Sequence, residues 1–164
     1  VTQLDRFERI TRSFARGAVE RIGDPPSNDA AHPFDVRNIH PDLPEKVRKL
    51  YDDGHLAEAV FEAFKFVENE VKLISKVRGQ TGFALMMASF DENNAKVALN
   101  SLSTDSEIDE QKGYRHMFAG ASSAIRNPRG HEVDVTDTPD EALDYLALAS
   151  LLLRRLDTAG VRIR

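Results

Sequence analysis

The sequence predicts an all-α protein, an up-and-down helical bundle of about four core helices plus one or two extra helices. Three observations lead there. Apolar residues recur three and four positions apart in stretch after stretch, the spacing that lines one face of a helix. No stretch alternates apolar and polar residues between turn signals in the way a half-buried strand does. Proline stands at the edges of the periodic stretches, where it delimits helices and does not interrupt them.

Leu4, Phe7, Ile10, Phe14, Ala18 and Ile22 predict a first amphipathic helix, whose other face carries Arg6, Arg9, Arg12, Arg16 and Arg21. Asp5, Glu8 and Glu20 interleave with these arginines, the pattern of an ordinary solvated face. The helix stops near Gly23, because Asp24-Pro25-Pro26-Ser27-Asn28 cannot continue it. Pro25, Pro26, Pro33 and Pro41 mark residues 24–41 as a linker or irregular surface segment. Residues 1–33 are therefore expected to form an N-terminal amphipathic helix and Pro-rich linker, and residues 34–164 the bundle.

A second helix is predicted from Leu43 to Asp52, with Pro44 in its first turn and Gly54 as its stop. The third runs from His55 to about Lys76 on Leu56, Ala59, Val60, Ala63, Phe64, Val67, Val71 and Ile74. Arg78-Gly79-Gln80-Thr81-Gly82 breaks it. A short apolar segment, Phe83 to Phe90, follows, and Asp91 to Ser103 reads as a loop or loose turn. The next helix runs from about Asp105 to Arg126, burying Ile108, Tyr114, Met117, Phe118, Ala121 and Ile125. Pro128 disfavours helical geometry at Asn127, so the helix is expected to end there. The last helix opens with Thr138 as N-cap, Pro139 at the first helical position and Glu141 completing a capping box. It continues to Leu156, with Gly160 as terminator.

Composition excludes several classes of function. Hydrophobic residues make up 41% and charged residues 30% of the 164, with a formal net charge of −5, as suits a soluble chain with a real core. The absence of cysteine rules out disulfides, a zinc ribbon and a thiol nucleophile. The longest apolar run, Tyr145 to Leu153, falls far short of a membrane span, and the opening residues lack the apolar centre of a secretory signal. No membrane association is expected, and the compartment expected is the cytoplasm. The five histidines form no His-Glu-x-x-His pair, and no phosphate-cradling glycine loop or nucleophile elbow is present. No metal and no cofactor are expected.

One constellation carries chemistry: Ile125-Arg126-Asn127-Pro128-Arg129-Gly130-His131-Glu132. The planar guanidinium of arginine suits phosphate oxygens, and histidine takes or gives a proton near neutrality. Together they are the minimum equipment for moving a phosphoryl group without metal. The plain alternative is that both complement the negative end of a helix and cap its free carbonyls. From Lys112 to His131 there are four Lys or Arg and no Asp or Glu, in an otherwise acidic chain. Lys112, Arg115, His116, Arg126 and Arg129 thus offer a local positive stretch that fits a polyanion. The net negative charge argues for selective contact at a cleft over nonspecific coating of nucleic acid.

At these residues the sequence resembles the HEPN superfamily of all-helical domains, common in toxin–antitoxin and antiphage systems. Arg126-Asn127, three further residues and His131 match its Arg-polar-x3-His signature. More narrowly, the chain resembles the Ymh-type family of bacterial and phage hypothetical proteins. The stretches that carry this are Asn38-Ile39-His40-Pro41, Asp53-Gly54-His55-Leu56-Ala57-Glu58-Ala59-Val60, Asp109-Glu110-Gln111 with Gly113-Tyr114, and Phe118-Ala119-Gly120 leading to Ile125-Arg126-Asn127-Pro128. Glycine stands at position 130, where the resemblance leads one to expect a small residue such as alanine. The resemblance implies a bundle that dimerises and brings two motif copies into one cleft, and a metal-independent endoribonuclease. Carried over, His131 is the general base or acid, Arg126 stabilises charge on phosphorus, and Asn127 orients the pair. Lys112, Arg115, His116 and Arg129 are the RNA-binding candidates. The partners expected are RNA, a second copy of the chain and an antitoxin or defence-system protein. Some members of the superfamily keep the fold as a non-catalytic interaction or sensor module, which is the alternative reading.

Overall fold

The computed structural model describes residues 31–131 and 134–162. The chain divides into two units, residues 1–32 and Pro33–Arg164, and the helices below belong to the second. The helix predicted from Leu4 to Ile22, with its arginine face, lies outside the described residues. In order come α1 (Pro33–Val36), α2 (Glu45–Asp52), α3 (Leu56–Ser75), α4 (Gly82–Ser89) and α5 (Asp105–Gly120). A π-helical segment (Ala121–Arg126), α6 (Asn127–His131) and α7 (Pro139–Thr158) follow. Among the described residues there is no strand, so the all-α bundle stands. No helix among them is long and apolar enough to cross a membrane.

Helix α3 is the central post, because its apolar residues fall on a broad face: Ala59, Val60, Ala63, Phe64, Val67 and Val71 are all buried. It packs against α2, α4, α6, α7 and the π segment. Each large apolar side chain fully removed from water on such a face contributes about 1.5–3 kcal/mol before chain entropy is set against it. Helix α7 presents Leu146, Ala149, Leu152, Leu153 and Leu156 to the same core. It starts where predicted, with the reciprocal Thr138–Glu141 capping box formed and Pro139 in the first turn. An equivalent box, Thr104 with Glu107, starts α5.

Four points differ from the sequence expectation. A short helix, α1, lies within residues 24–41, which the prolines mark as linker or irregular. Pro44 is the N-cap of α2, outside its first turn. The apolar stretch after the Gly79–Gly82 break is a true helix, α4, which pairs with α5. Most consequentially, the helix does not end at Arg126. It passes into a π turn in which the Asn127 N–H donates to the Ser122 carbonyl, five residues back, and then into α6 through Pro128 to His131. Asn127 keeps right-handed helical angles. Pro128 falls in the first turn after the change from π to α bonding, where a missing N–H is tolerated.

The loop of residues 91–104 is held from inside by Gln111, which is fully buried. Its Nε2 donates to the carbonyls of Phe90 (3.1 Å) and Val97 (2.9 Å), and its Oε1 accepts from the Leu99 N–H (2.9 Å). One side chain thereby satisfies three backbone groups that the loop would otherwise bury unpaired.

Candidate functional site

The π segment and α6 carry Arg126, Asn127 and His131 on one continuous helical stretch lying against α3. Arg126 is partly buried. Its guanidinium stands 5.3 Å from the centroid of the Phe61 ring of α3. Its Nη1 donates to Asn127 Oδ1 at 3.1 Å, and its Nε faces Glu68 Oε2 at 3.8 Å. Asn127 is thereby tied to Arg126. His131 closes α6 and is exposed, and its side chain makes no hydrogen bond or ion pair among the described residues. At roughly 100° per residue, five positions carry the chain about 140° around the axis beyond one full turn. The two side chains of one chain therefore leave the helix on different sides.

The other cations of the stretch divide sharply. Arg115 is spent within the fold: its Nε donates to the Met87 carbonyl (3.0 Å), and its two Nη groups pair with Glu92 (2.8 Å) and Asp91 (3.0 Å). Arg129 is buried, with 6% of its side chain exposed. It forks onto Asp137 through Nε and Nη2, donates from Nη1 to the Ile125 carbonyl at 2.8 Å, and stacks on Tyr145 at 4.3 Å. Burial works against its charge, but pairing with Asp137 and Tyr145 outweighs burial and holds its pKa above the ordinary arginine value. Lys112 is exposed and 3.5 Å from Asp109, and His116 is exposed with no side-chain partner among the described residues. So the stretch that reads as uniformly basic in sequence meets carboxylates from elsewhere in the chain: Asp91, Glu92, Glu68 and Asp137.

The capping role suggested for the Arg/His pair falls to a different residue. Arg129 is the side chain that satisfies a carbonyl of the preceding turn, while Arg126 and His131 bond none. Position 130 is also explained. A Cβ built on Gly130 would stand 2.7 Å from Phe61 Cε2, so glycine is what lets α6 approach the ring on which Arg126 rests.

Sequence reasoning missed Phe61, Asp137 and Glu68. The signal for Glu68 was present: it sits four residues after Phe64 and three before Val71, on the buried face of α3, where a carboxylate is costly without partners. It is 7% exposed, and its Oε1 accepts from the Gly82 N–H at 3.0 Å.

A second polar cluster lies away from the motif. His40, buried beneath α7, offers Nε2 to Asp157 (2.9 Å), accepts at Nδ1 from the Asp42 N–H (3.1 Å), and donates its own backbone N–H to Ser150 Oγ (2.9 Å). His40, Asp42 and Asp157 have the spacing of a metal-ligand group, their ligand atoms lying within 4.8 Å of one another. The charge there is already balanced by Arg162, whose Nη1 pairs with Asp157 (2.7 Å), Nη2 with Asp42 (3.2 Å) and Nε with Glu70 (2.7 Å). Both ring nitrogens of His40 are also engaged. The arrangement ties α3, the α1–α2 connection and α7 together as a structural lock.

No curated protein and no solved structure matches the chain. Residues 37–156, which run from the end of α1 through the whole Arg/His stretch to the last turns of α7, match the family described as a protein of unknown function, Hypoth_ymh. The chain belongs to that family.

Proposed function

We propose that the protein is a HEPN-type, metal-independent endoribonuclease that works as a dimer in stress or phage defence. The observation that carries the reading is selective availability. Of the five cations and imidazoles from Arg115 to His131, Arg115 and Arg129 are consumed by the fold, and His116, Arg126 and His131 remain. The two motif side chains, Arg126 and His131, keep access to solvent and bond no carbonyl of their own helix. Such a division is what a site for an external phosphate needs.

In the proposed reaction one His131 removes the proton from a ribose 2′-hydroxyl, whose oxygen attacks the adjacent phosphorus. Arg126 balances charge accumulating on the phosphoryl oxygens, held in orientation by Asn127. The bond from phosphorus to the 5′ oxygen breaks as a second imidazole protonates that oxygen, leaving a 2′,3′-cyclic phosphate and a free 5′-hydroxyl. Because Arg126 and His131 of one chain diverge around the helix axis, the working pair is drawn from two copies. That arrangement also supplies the separate base and acid.

The test is cleavage of single-stranded RNA in EDTA, with end-group analysis. Cyclic phosphate ends are expected, and Arg126→Ala or His131→Ala should each cut at least about 10²-fold more slowly. His131→Ala should melt with wild type, since the imidazole bonds nothing. Equal cleavage by both variants and wild type, or none by wild type, overturns the reading. The second reading is an interaction module, favoured by the open groove along α3 in which Leu73, 72% exposed, lies among Lys72, Lys76 and Arg78. It predicts no cleavage under any of these conditions.

A further inference from the structure

We infer that Glu68 is a positioning residue for Arg126, setting which edge of the guanidinium faces an incoming anion; the inference rests on the endoribonuclease reading above. Glu68 is a carboxylate placed where the sequence pattern of α3 calls for an apolar side chain, and it is 7% exposed. A buried carboxylate survives only with partners that favour its charge. It has two, on opposite sides. Its Oε1 accepts from the N–H of Gly82, the first residue of α4. Thr81, the N-cap of that helix, makes no side-chain cap, so Glu68 supplies the acceptor and the negative charge that a helix start prefers.

Its other oxygen, Oε2, faces Arg126 Nε at 3.8 Å. Both of these atoms are shut off from solvent, and neither makes a hydrogen bond. The inner edge of the guanidinium is therefore occupied by charge attraction alone. One of its faces is covered by Phe61. What remains to meet an oxyanion is the outer edge, with Nη1 steered by Asn127 Oδ1. Ser122, one turn earlier on the same helical stretch, is buried, and its Oγ lies 3.3 Å from where a Cβ on Gly82 would stand. Glu68 touches no substrate in this account. It holds the group that does.

The decisive variant is Glu68→Gln, which keeps an oxygen for Gly82 and removes the charge that faces Arg126. We expect kcat for RNA cleavage to fall roughly 10–100-fold with KM within about twofold, the signature of a misplaced transition-state group. Glu68→Asp should recover part of the loss. The arginine side-chain NMR signal of Arg126 supplies a readout independent of catalysis. In wild type its Nε–H should exchange slowly with water and shift when inorganic phosphate is added, and in Glu68→Gln it should exchange at the rate of an exposed arginine. An unchanged kcat in a folded Glu68→Gln, or a fast-exchanging Nε–H in wild type, overturns the inference even if the variant fails to fold. A wild type that does not cut RNA overturns the nuclease reading instead, while the exchange measurement still decides whether Glu68 holds Arg126.

Discussion

Replacing Gly130 by alanine should destabilise the protein relative to the same replacement at Gly113, although both glycines sit in helices. In a helix interior, glycine to alanine is worth about 0.8–1.0 kcal/mol of stabilisation. At Gly113 a new Cβ would meet nothing within 4 Å, so that full gain is expected. At Gly130 the Cβ would stand 2.7 Å from Phe61 Cε2, with two further ring atoms at 3.5 Å. The ring, seated on the central helix between Arg126 and Lys65, must shift to admit the methyl group. Overpacking of this kind costs about 1–3 kcal/mol, which cancels or exceeds the helix gain. The two variants should therefore differ by about 1–3 kcal/mol, or roughly 2–12 °C in Tm for a chain of this size. Thermal melts followed by circular dichroism at 222 nm measure this directly. If Gly130→Ala stabilises as much as Gly113→Ala, the close approach of α6 to Phe61, and the account of Arg126 built on it, is wrong.

Two further outcomes follow from the same geometry. If the base and the acid are His131 of two copies, co-expressing wild type with an equal amount of His131→Ala should leave about a quarter of the cleavage given by the same total amount of wild type, because only about a quarter of the dimers then hold two imidazoles; retention of about half rejects the shared site. Acid sensitivity should depend on Glu107, whose pKa is held down to about 2 by hydrogen bonds from the Ser103 hydroxyl and N–H, from Ser101 and from the Thr104 N–H. A carboxylate with a depressed folded-state pKa stabilises the fold above its ordinary value of 4.5 and loses that contribution as pH falls towards 2. The stability difference between wild type and Glu107→Gln, measured by urea unfolding, should thus be largest near neutrality and shrink steadily from pH 4.5 to pH 2; a difference independent of pH would show that those hydrogen bonds are not formed.

Most of the fold was legible because its signals are local. The three- and four-residue spacing along α3, the Thr138–Glu141 capping box and the terminator at Gly160 each act within a turn or two of chain, so the residues that cause them lie side by side in sequence. The passage of the helix through Pro128 was not legible, since a neighbour rule for proline assumes α bonding, and the π turn that precedes it is stabilised by packing against α3. The Arg/His motif could be picked out by residue type and spacing. Its surroundings could not, because Phe61 and Glu68 come from a helix some sixty residues earlier.

The sequence by itself determined that the chain is helical and where most of its helices begin and end, and it singled out Arg126, Asn127 and His131 as candidates by residue type and spacing. Only the tertiary structure decided which charges remain to be used. Lys112 to His131 reads as a run of unopposed positive charge, yet Arg115 and Arg129 meet Asp91, Glu92 and Asp137 once the chain is folded. Electrostatic attraction depends on distance in space, so a carboxylate about 3 Å away outweighs a like charge several residues off along the chain.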